Sequence, residues 1–335
     1  MKRRILIVRT DRVGDVVMIT PVIKALRLNF PDSFIATLTN PNSADILLNN
    51  PYLDLSITDD LRKESFWKIV KELRKYKFTD GLLLMPTERA AYQMFLGGIK
   101  NRVGVGKKLY EVITFMKSVS RNKYIPLRHE ADYCMDLARK IGVVSNDLTP
   151  EIFLTEEEKL SGREILKSAG IKKDDLKIIV HTGSGKSSSN WSEDKYFELI
   201  NYILKSKNEA SIILTAKEIS DTFREKIKKL NSERIYFLDD KINRLRDLIC
   251  IISAADLLIA ASTGPLHLAS ALKVKTIGLY CHRSMSCVRH WGALGNKAVN
   301  IEVSAEYCDK NCSLDKEICE FENGILIDKV ISFIN

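Results

Sequence analysis

Short apolar runs alternate with longer amphipathic stretches along almost the whole of this chain, and that alternation leaves few folds open. Residues 4–9, 34–38 and 81–85 are apolar runs too short for helices and read as buried strands. Between them, 16–29 places Val22, Ile23 and Leu26 on one face with Pro21 near the start, and reads as a helix. Residues 65–76 and 131–141 read the same way. The pattern then restarts. A charged helix at 155–168 is followed by strands at 177–180, 210–214, 235–238, 257–261 and 276–280. Helices at 192–206, 221–230, 244–254 and 265–272 separate them. Strand–helix alternation of this kind builds parallel sheets covered by helices. The expectation is an α/β chain of two halves, divided near 150–175, with a last helix at 328–334 packing back on either of them.

Several classes fall away. No uncharged apolar run approaches the ~18 residues that cross a bilayer; the best stretch, 248–261, carries Asp256. Met1-Lys2-Arg3-Arg4 is basic, but only Ile5 to Val8 are apolar before Arg9, too few for a secretory leader. A cytoplasmic protein is expected. Seven cysteines in 335 residues make no disulfide framework. Cys308, Cys312 and Cys319 form C-x3-C-x6-C, without the C-x2-C pairs or nearby His of zinc sites, and read as reduced or packed thiols.

Charge is uneven. Residues 1–150 hold 25 Lys+Arg against 16 Asp+Glu, whereas 151–335 hold 27 of each, so the whole net charge of +9 sits in the first half. Lys100 to Arg128 is its densest stretch, with Glu111 the only acid. Either a solvated basic face or an anionic partner accounts for this. Nucleic acid is disfavoured, because no aromatic-interleaved basic motif is present.

Ligands of parallel α/β sheets bind in loops after strands, which selects 10–15, 181–190, 215–218 and 262–267. Loop 10–15 has one glycine, Gly14, so the dinucleotide fingerprint is absent. It offers Asp11, Arg12 and Asp15 before a helix, where an Asp serves as an N-cap or as a general base. Loop 181–190, His-Thr-Gly-Ser-Gly-Lys-Ser-Ser-Ser-Asn, fails as a phosphate-binding P-loop because Val180 stands where glycine is required. Its glycines and hydroxyls still suit an anion. In Ser262-Thr263-Gly264-Pro265-Leu266-His267, Ser262 or Thr263 suits an N-cap and Pro265 the first helical position, leaving an open helix N-terminus for a diphosphate. His267 lies in the first turn, as a phosphate donor or a packing residue.

Three of these segments together resemble glycosyltransferase family 9, the ADP-heptose:lipopolysaccharide heptosyltransferases. They are 5–26 with its Gly14-Asp15 and Thr20-Pro21, then 180–185 with Asn190-Trp191-Ser192, then 262–272. The resemblance implies a GT-B architecture: two Rossmann-like domains with parallel sheets facing across a central cleft. The acceptor would lie on residues 1–160 and the nucleotide-sugar donor on 170–325, with a terminal helix at 326–335. It implies an inverting, metal-independent transfer without a cofactor, with Asp15 as general base. The donor would be held by Thr182, Gly183, Ser184, Lys186, Asn190, Glu218, Ser262, Thr263, Gly264 and His267. Glu218 would meet the ribose. Arg12, Arg89, Lys107 and Arg121 would face an anionic lipid-linked oligosaccharide at the inner membrane surface. Two positions depart from the family: Asn190 replaces a Lys or Arg, for which Lys186 could substitute, and Ser262 replaces an Asp. They leave open another nucleotide sugar, or a non-catalytic nucleotide-sugar-binding protein of the same fold.

Overall fold

A computed structural model describes residues 2–60, 65–106, 108–185, 188–283, 285–295, 297–312 and 322–334. Lys107, Lys186 and Cys319 lie outside the described residues. The chain forms two compact units, Met1–Phe153 and Leu154–Asn335.

The first unit carries β1 (Arg4–Arg9), β2 (Phe34–Thr39), β3 (Leu55–Thr58), β4 (Asp80–Leu83), β5 (Asn101–Gly104) and β6 (Lys117–Ser118). All pair in parallel, in the order 3-2-1-4-5-6. The second unit carries β7 (Leu176–His181), β8 (Ala210–Thr215), β9 (Ile235–Phe237), β10 (Leu257–Ala261), β11 (Lys275–Tyr280) and β12 (Ala298–Glu302). Its parallel order, 9-8-7-10-11-12, repeats that of the first. This is the doubly wound order, in which connections reverse direction beside the first strand. The reversal points are β1/β4 and β7/β10, so the loops after these four strands are where each sheet can take a ligand.

The central strands are the ones legible as apolar runs. Ile5, Leu6, Ile7 and Val8 are fully buried, as are Ile178, Ile179 and Val180, and Leu258, Ile259 and Ala260. Both faces of these strands are covered, which is why polar residues do not alternate within them. Strands β3, β5, β6 and β12 were not expected; they are short or half polar and lie toward the sheet edges. The helix Glu88–Leu96 was also missed.

The helix expected at 16–29 begins earlier and is broken. Its pieces are Val13–Val17 and Thr20–Asn29. Pro21 has no N–H to donate to the carbonyl of Val17, and the Thr20 hydroxyl donates there instead (2.8 Å). Asp15 therefore sits inside a short helix, not in the preceding loop.

Helix Glu156–Ser168 belongs to the second unit. At Gly162 it approaches helix Leu245–Ser253 so closely that a Cβ would stand 2.1 Å from the Cys250 carbonyl oxygen. Arg246 clamps Glu158 with two 2.7 Å bonds. The terminal helix Ile327–Ile331 packs on helix Glu193–Ser206, with Val330 and Ile331 in the same apolar core as Leu199 and Ile203. Among the described residues, no helix is long and apolar enough to cross a membrane.

Candidate functional site

In the first unit the site is organised by a residue the loop-by-loop reading passed over. Arg9 ends β1 and is 4% exposed. Its Nε donates to Asp11 Oδ1 (2.8 Å), its Nη2 to Asp15 Oδ1, and its Nη1 to Glu130 Oε1 (2.9 Å). Glu130 opens helix Glu130–Arg139 and is itself buried. It also accepts both terminal nitrogens of Arg121 (3.0 and 3.1 Å), whose guanidinium lies over the Tyr133 ring. Three carboxylates thus meet two guanidiniums beside the β1/β4 reversal point. Burial, reinforced by the charge of Asp15, pushes the Asp11 carboxyl up to about 6 against the pull of Arg9. Burial likewise raises the neighbouring Cys134 thiol, so it stays protonated.

Asp15 does not cap its helix; Arg12 occupies that position, without a side-chain cap bond. The Asp15 carboxylate is instead fixed through Arg9. Arg12 is exposed. Arg89, expected on the acceptor side, is engaged by the buried Asp59 through two 2.9 Å bonds, and Gln93 donates to the same carboxylate (2.9 Å). The charges of Arg89 and Arg121 are therefore already matched within the unit.

In the second unit the loops after β7 and β10 carry the expected donor residues. His181 ends β7, with Nδ1 3.0 Å from the Thr215 hydroxyl, and the Thr182 N–H donates to the Thr215 carbonyl (3.2 Å). Gly183 passes close to the chain leaving β8: a Cβ there would stand 3.3 Å from that of Ala216. Ser184 follows, half-buried. Asn190 has a bracing role that its sequence position did not disclose. Its Nδ2 donates to the Thr182 carbonyl (2.6 Å), and its Oδ1 accepts from the Tyr196 hydroxyl (2.7 Å). Tyr196 is buried and its hydroxyl also meets the backbone of Ala261, at the end of β10. Asn190 and Tyr196 thus tie together the two loops at the β7/β10 reversal point.

Thr263 is the N-cap of helix Gly264–Ala271, with Gly264 first and Pro265 second in the helix. Its hydroxyl does not cap the helix, contrary to the expectation. The Thr263 Oγ1 is buried and, among the described residues, has no hydrogen-bond partner. The first N–H groups of a helix have no internal acceptor either. The arrangement can hold an anion through backbone N–H groups, helix dipole and one hydroxyl. Ser262 is half-buried and donates its N–H to the Leu279 carbonyl (3.0 Å). His267 is buried, its ring 6.1 Å from that of Trp291. Glu218 is exposed, beyond the end of β8.

Cys308 stands beside Cys281 and Cys312, and burial and these thiols push it up to about 11. Among the described residues, no three His, Cys, Asp or Glu side chains are arranged to hold a metal ion.

Burial holds His181 down at about 4, so its imidazole is neutral at pH 7. The folded value lies below the ordinary one, so the unfolded chain binds the extra proton first. Stability of the second unit is therefore full above about 6.5 and falls toward pH 4, by up to about 1.4 kcal/mol per pH unit. His181→Asn is expected to flatten that slope. Urea midpoints at pH 7 and 4.5, read by fluorescence of the buried Trp191, measure it; equal slopes in both proteins would exclude His181 as the cause.

A model of glycosyltransferase family 9 (heptosyltransferase) matches residues 66–319, which include β4, β7 and β10 and the loops after them. The chain belongs to this family. It is 24% identical over 309 residues to the lipopolysaccharide core heptosyltransferase OpsX of Haemophilus influenzae, covering 90% of this chain and 85% of that one. Among solved structures it resembles a family 9 glycosyl transferase of Veillonella parvula, with a TM-score of 0.79 at 20% identity over 98% of this chain and 95% of that one. It also resembles the ADP-heptose lipopolysaccharide heptosyltransferase II of E. coli, with a TM-score of 0.76 at 18% identity over 100% and 98%. The fold is thus the GT-B α/β type, and the chain is a glycosyltransferase. The matched span begins after Asp15, so the assignment to the family is independent of that residue.

Proposed function

We propose that this glycosyltransferase moves a heptosyl residue from ADP-heptose onto an anionic, lipid-linked oligosaccharide of the cell envelope, at the cytoplasmic face of the inner membrane. The observation that carries the donor half of the reading is Thr263: a buried hydroxyl without a partner among the described residues, at an open helix N-terminus, beside the strand-order reversal. The names of the similar heptosyltransferases support ADP-heptose as the sugar donor. The excess positive charge of the first half supports an anionic acceptor.

The chemistry is a single in-line displacement, which inverts the anomeric centre. The Asp15 carboxylate takes the proton of the acceptor hydroxyl as its oxygen bonds to the anomeric carbon. The bond from that carbon to the diphosphate oxygen breaks, and its electron pair leaves with ADP. The helix N–H groups and Thr263 stabilise the negative charge that develops there. Lys186 is the added cation in this reading, because the Asn190 amide is spent on Thr182 and Tyr196. Glu218 meets the ribose, and His267 supports the diphosphate turn. This mechanism assigns no step to a metal ion.

Titration calorimetry against ADP, ADP-heptose, UDP and GDP tests the donor. ADP and ADP-heptose are expected to bind at least tenfold tighter than the other two, a difference of about 1.4 kcal/mol. Tighter UDP or GDP binding would keep the transferase and discard heptose. Binding of none of the four would favour a degenerate protein of this fold.

A further inference from the structure

The helix Leu109–Ile113 is built inside out. Its buried residue is the acid Glu111, 2% exposed, and the Thr114 that follows is fully buried. Leu109, Val112 and Ile113, at i, i+3 and i+4, form one face and are 76%, 69% and 48% exposed. Phe115 continues that surface at 78% exposed. Two further features keep the arrangement. Gly104 makes room for the inward acid, since a Cβ there would stand 2.7 Å from Glu111 Oε1. Phe115 holds a left-handed backbone, φ +53°, which an aromatic residue adopts at a cost. Packing within the fold does not require four apolar side chains turned to water, so the surface is shaped for something outside it.

Its surroundings identify the partner's charge. Lys108 precedes the helix, Lys117 lies on the adjoining edge strand β6, and Lys100 leads into β5; all three are exposed. The only acid in the sequence between Lys100 and Arg128 is Glu111, which faces inward. Glu88, on the neighbouring helix Glu88–Leu96, lies near enough to act on Tyr110, but an exposed apolar face flanked by these lysines still has the composition of an interfacial anchor on anionic lipid.

We infer that the face formed by Leu109, Val112, Ile113 and Phe115 enters the headgroup region of an anionic bilayer while the lysines meet lipid phosphates. This deepens the lipid-linked acceptor reading and rests on it for its purpose, but it is measured without any acceptor.

The test is sedimentation of the full chain with vesicles of phosphatidylcholine alone or with 30% phosphatidylglycerol. The wild type is expected to bind the anionic vesicles at least tenfold better, and less as salt rises. Leu109→Ser/Phe115→Gly is expected to lose at least tenfold in that binding. Glycine relieves the left-handed strain, so the thermal midpoint should hold or rise. Lys108→Glu/Lys117→Glu should lose comparable affinity and the salt dependence. Both variants should keep the wild-type response to ADP, whose loops lie in the other unit. Equal binding to both vesicle types, or unaltered binding by Leu109→Ser/Phe115→Gly, overturns the inference. So does a wild-type dimer that the same variant dissociates, which would assign the face to a second copy. Failure of ADP binding with vesicle binding intact would remove the donor reading and leave this surface standing.

Discussion

Asp15→Asn is expected to lower the transfer rate by about 10²–10⁴-fold with donor and acceptor both saturating, the range a positioned general base supplies. The substitution isolates the proton transfer. Asparagine keeps the size of the side chain and an oxygen for Arg9 Nη2, so the short helix Val13–Val17 should remain. A neutral amide cannot accept the acceptor's proton. Donor affinity should stay at the wild-type value, because the loops proposed for the donor belong to Leu154–Asn335 and Asp15 to Met1–Phe153. The effect therefore falls on kcat, with ADP titration unchanged. Full transfer rate in the variant would remove Asp15 from the mechanism, whatever its place in the fold. A loss confined to KM for the acceptor would make it a binding residue.

What the sequence disclosed of this site, and what it hid, follows from the range of the interactions. Asp15, Thr263 and Gly264 are legible because each lies just past a continuous apolar strand, where doubly wound sheets place ligands. Strands β1, β7 and β10 are legible for the same reason: burial on both faces removes polar residues. At the edges that pressure relaxes, and β3, β5 and β12 carry mixed residues that no periodicity distinguishes from loop. Arg9 was visible as a charge closing an apolar strand, and a buried guanidinium demands an acid. Which acid was not visible, since Glu130 lies 121 residues away. The bracing role of Asn190 depends on a tyrosine hydroxyl reaching it from a neighbouring helix. At 109–113 no element was expected, and the fold forms a short helix there that turns Leu109, Val112 and Ile113 outward.

Arg9→Met is expected to cost about 3 kcal/mol, at the low end of the ~3–5 kcal/mol for breaking a buried ion pair. Methionine fills the volume of the arginine stem, so the loss is chiefly electrostatic. The low end applies because Glu130 keeps both bonds from Arg121, whereas Asp11 and Asp15 lose the cation that holds them together. The sign of the pH dependence follows. With Arg9 present, Asp11 is already raised to about 6, and removing the cation raises it further. The folded variant then holds the Asp11 proton to higher pH than the folded wild type, so its deficit grows as pH rises above about 6 and levels off below that, where Asp11 is protonated in both folded proteins. Hydrogen exchange of the β1 amides reads the first unit by itself. Glu130→Gln in the Arg9→Met background should cost less than Glu130→Gln alone, because the two side chains are directly coupled (2.9 Å). Additive costs, or an Arg9→Met protein within about 0.5 kcal/mol of wild type, would show that the network is not structural. The two variants are then expected to separate the roles of the cluster: Asp15→Asn should lose rate and keep stability, whereas Arg9→Met should lose both, because the proposed base, no longer held by its guanidinium, is also no longer aimed.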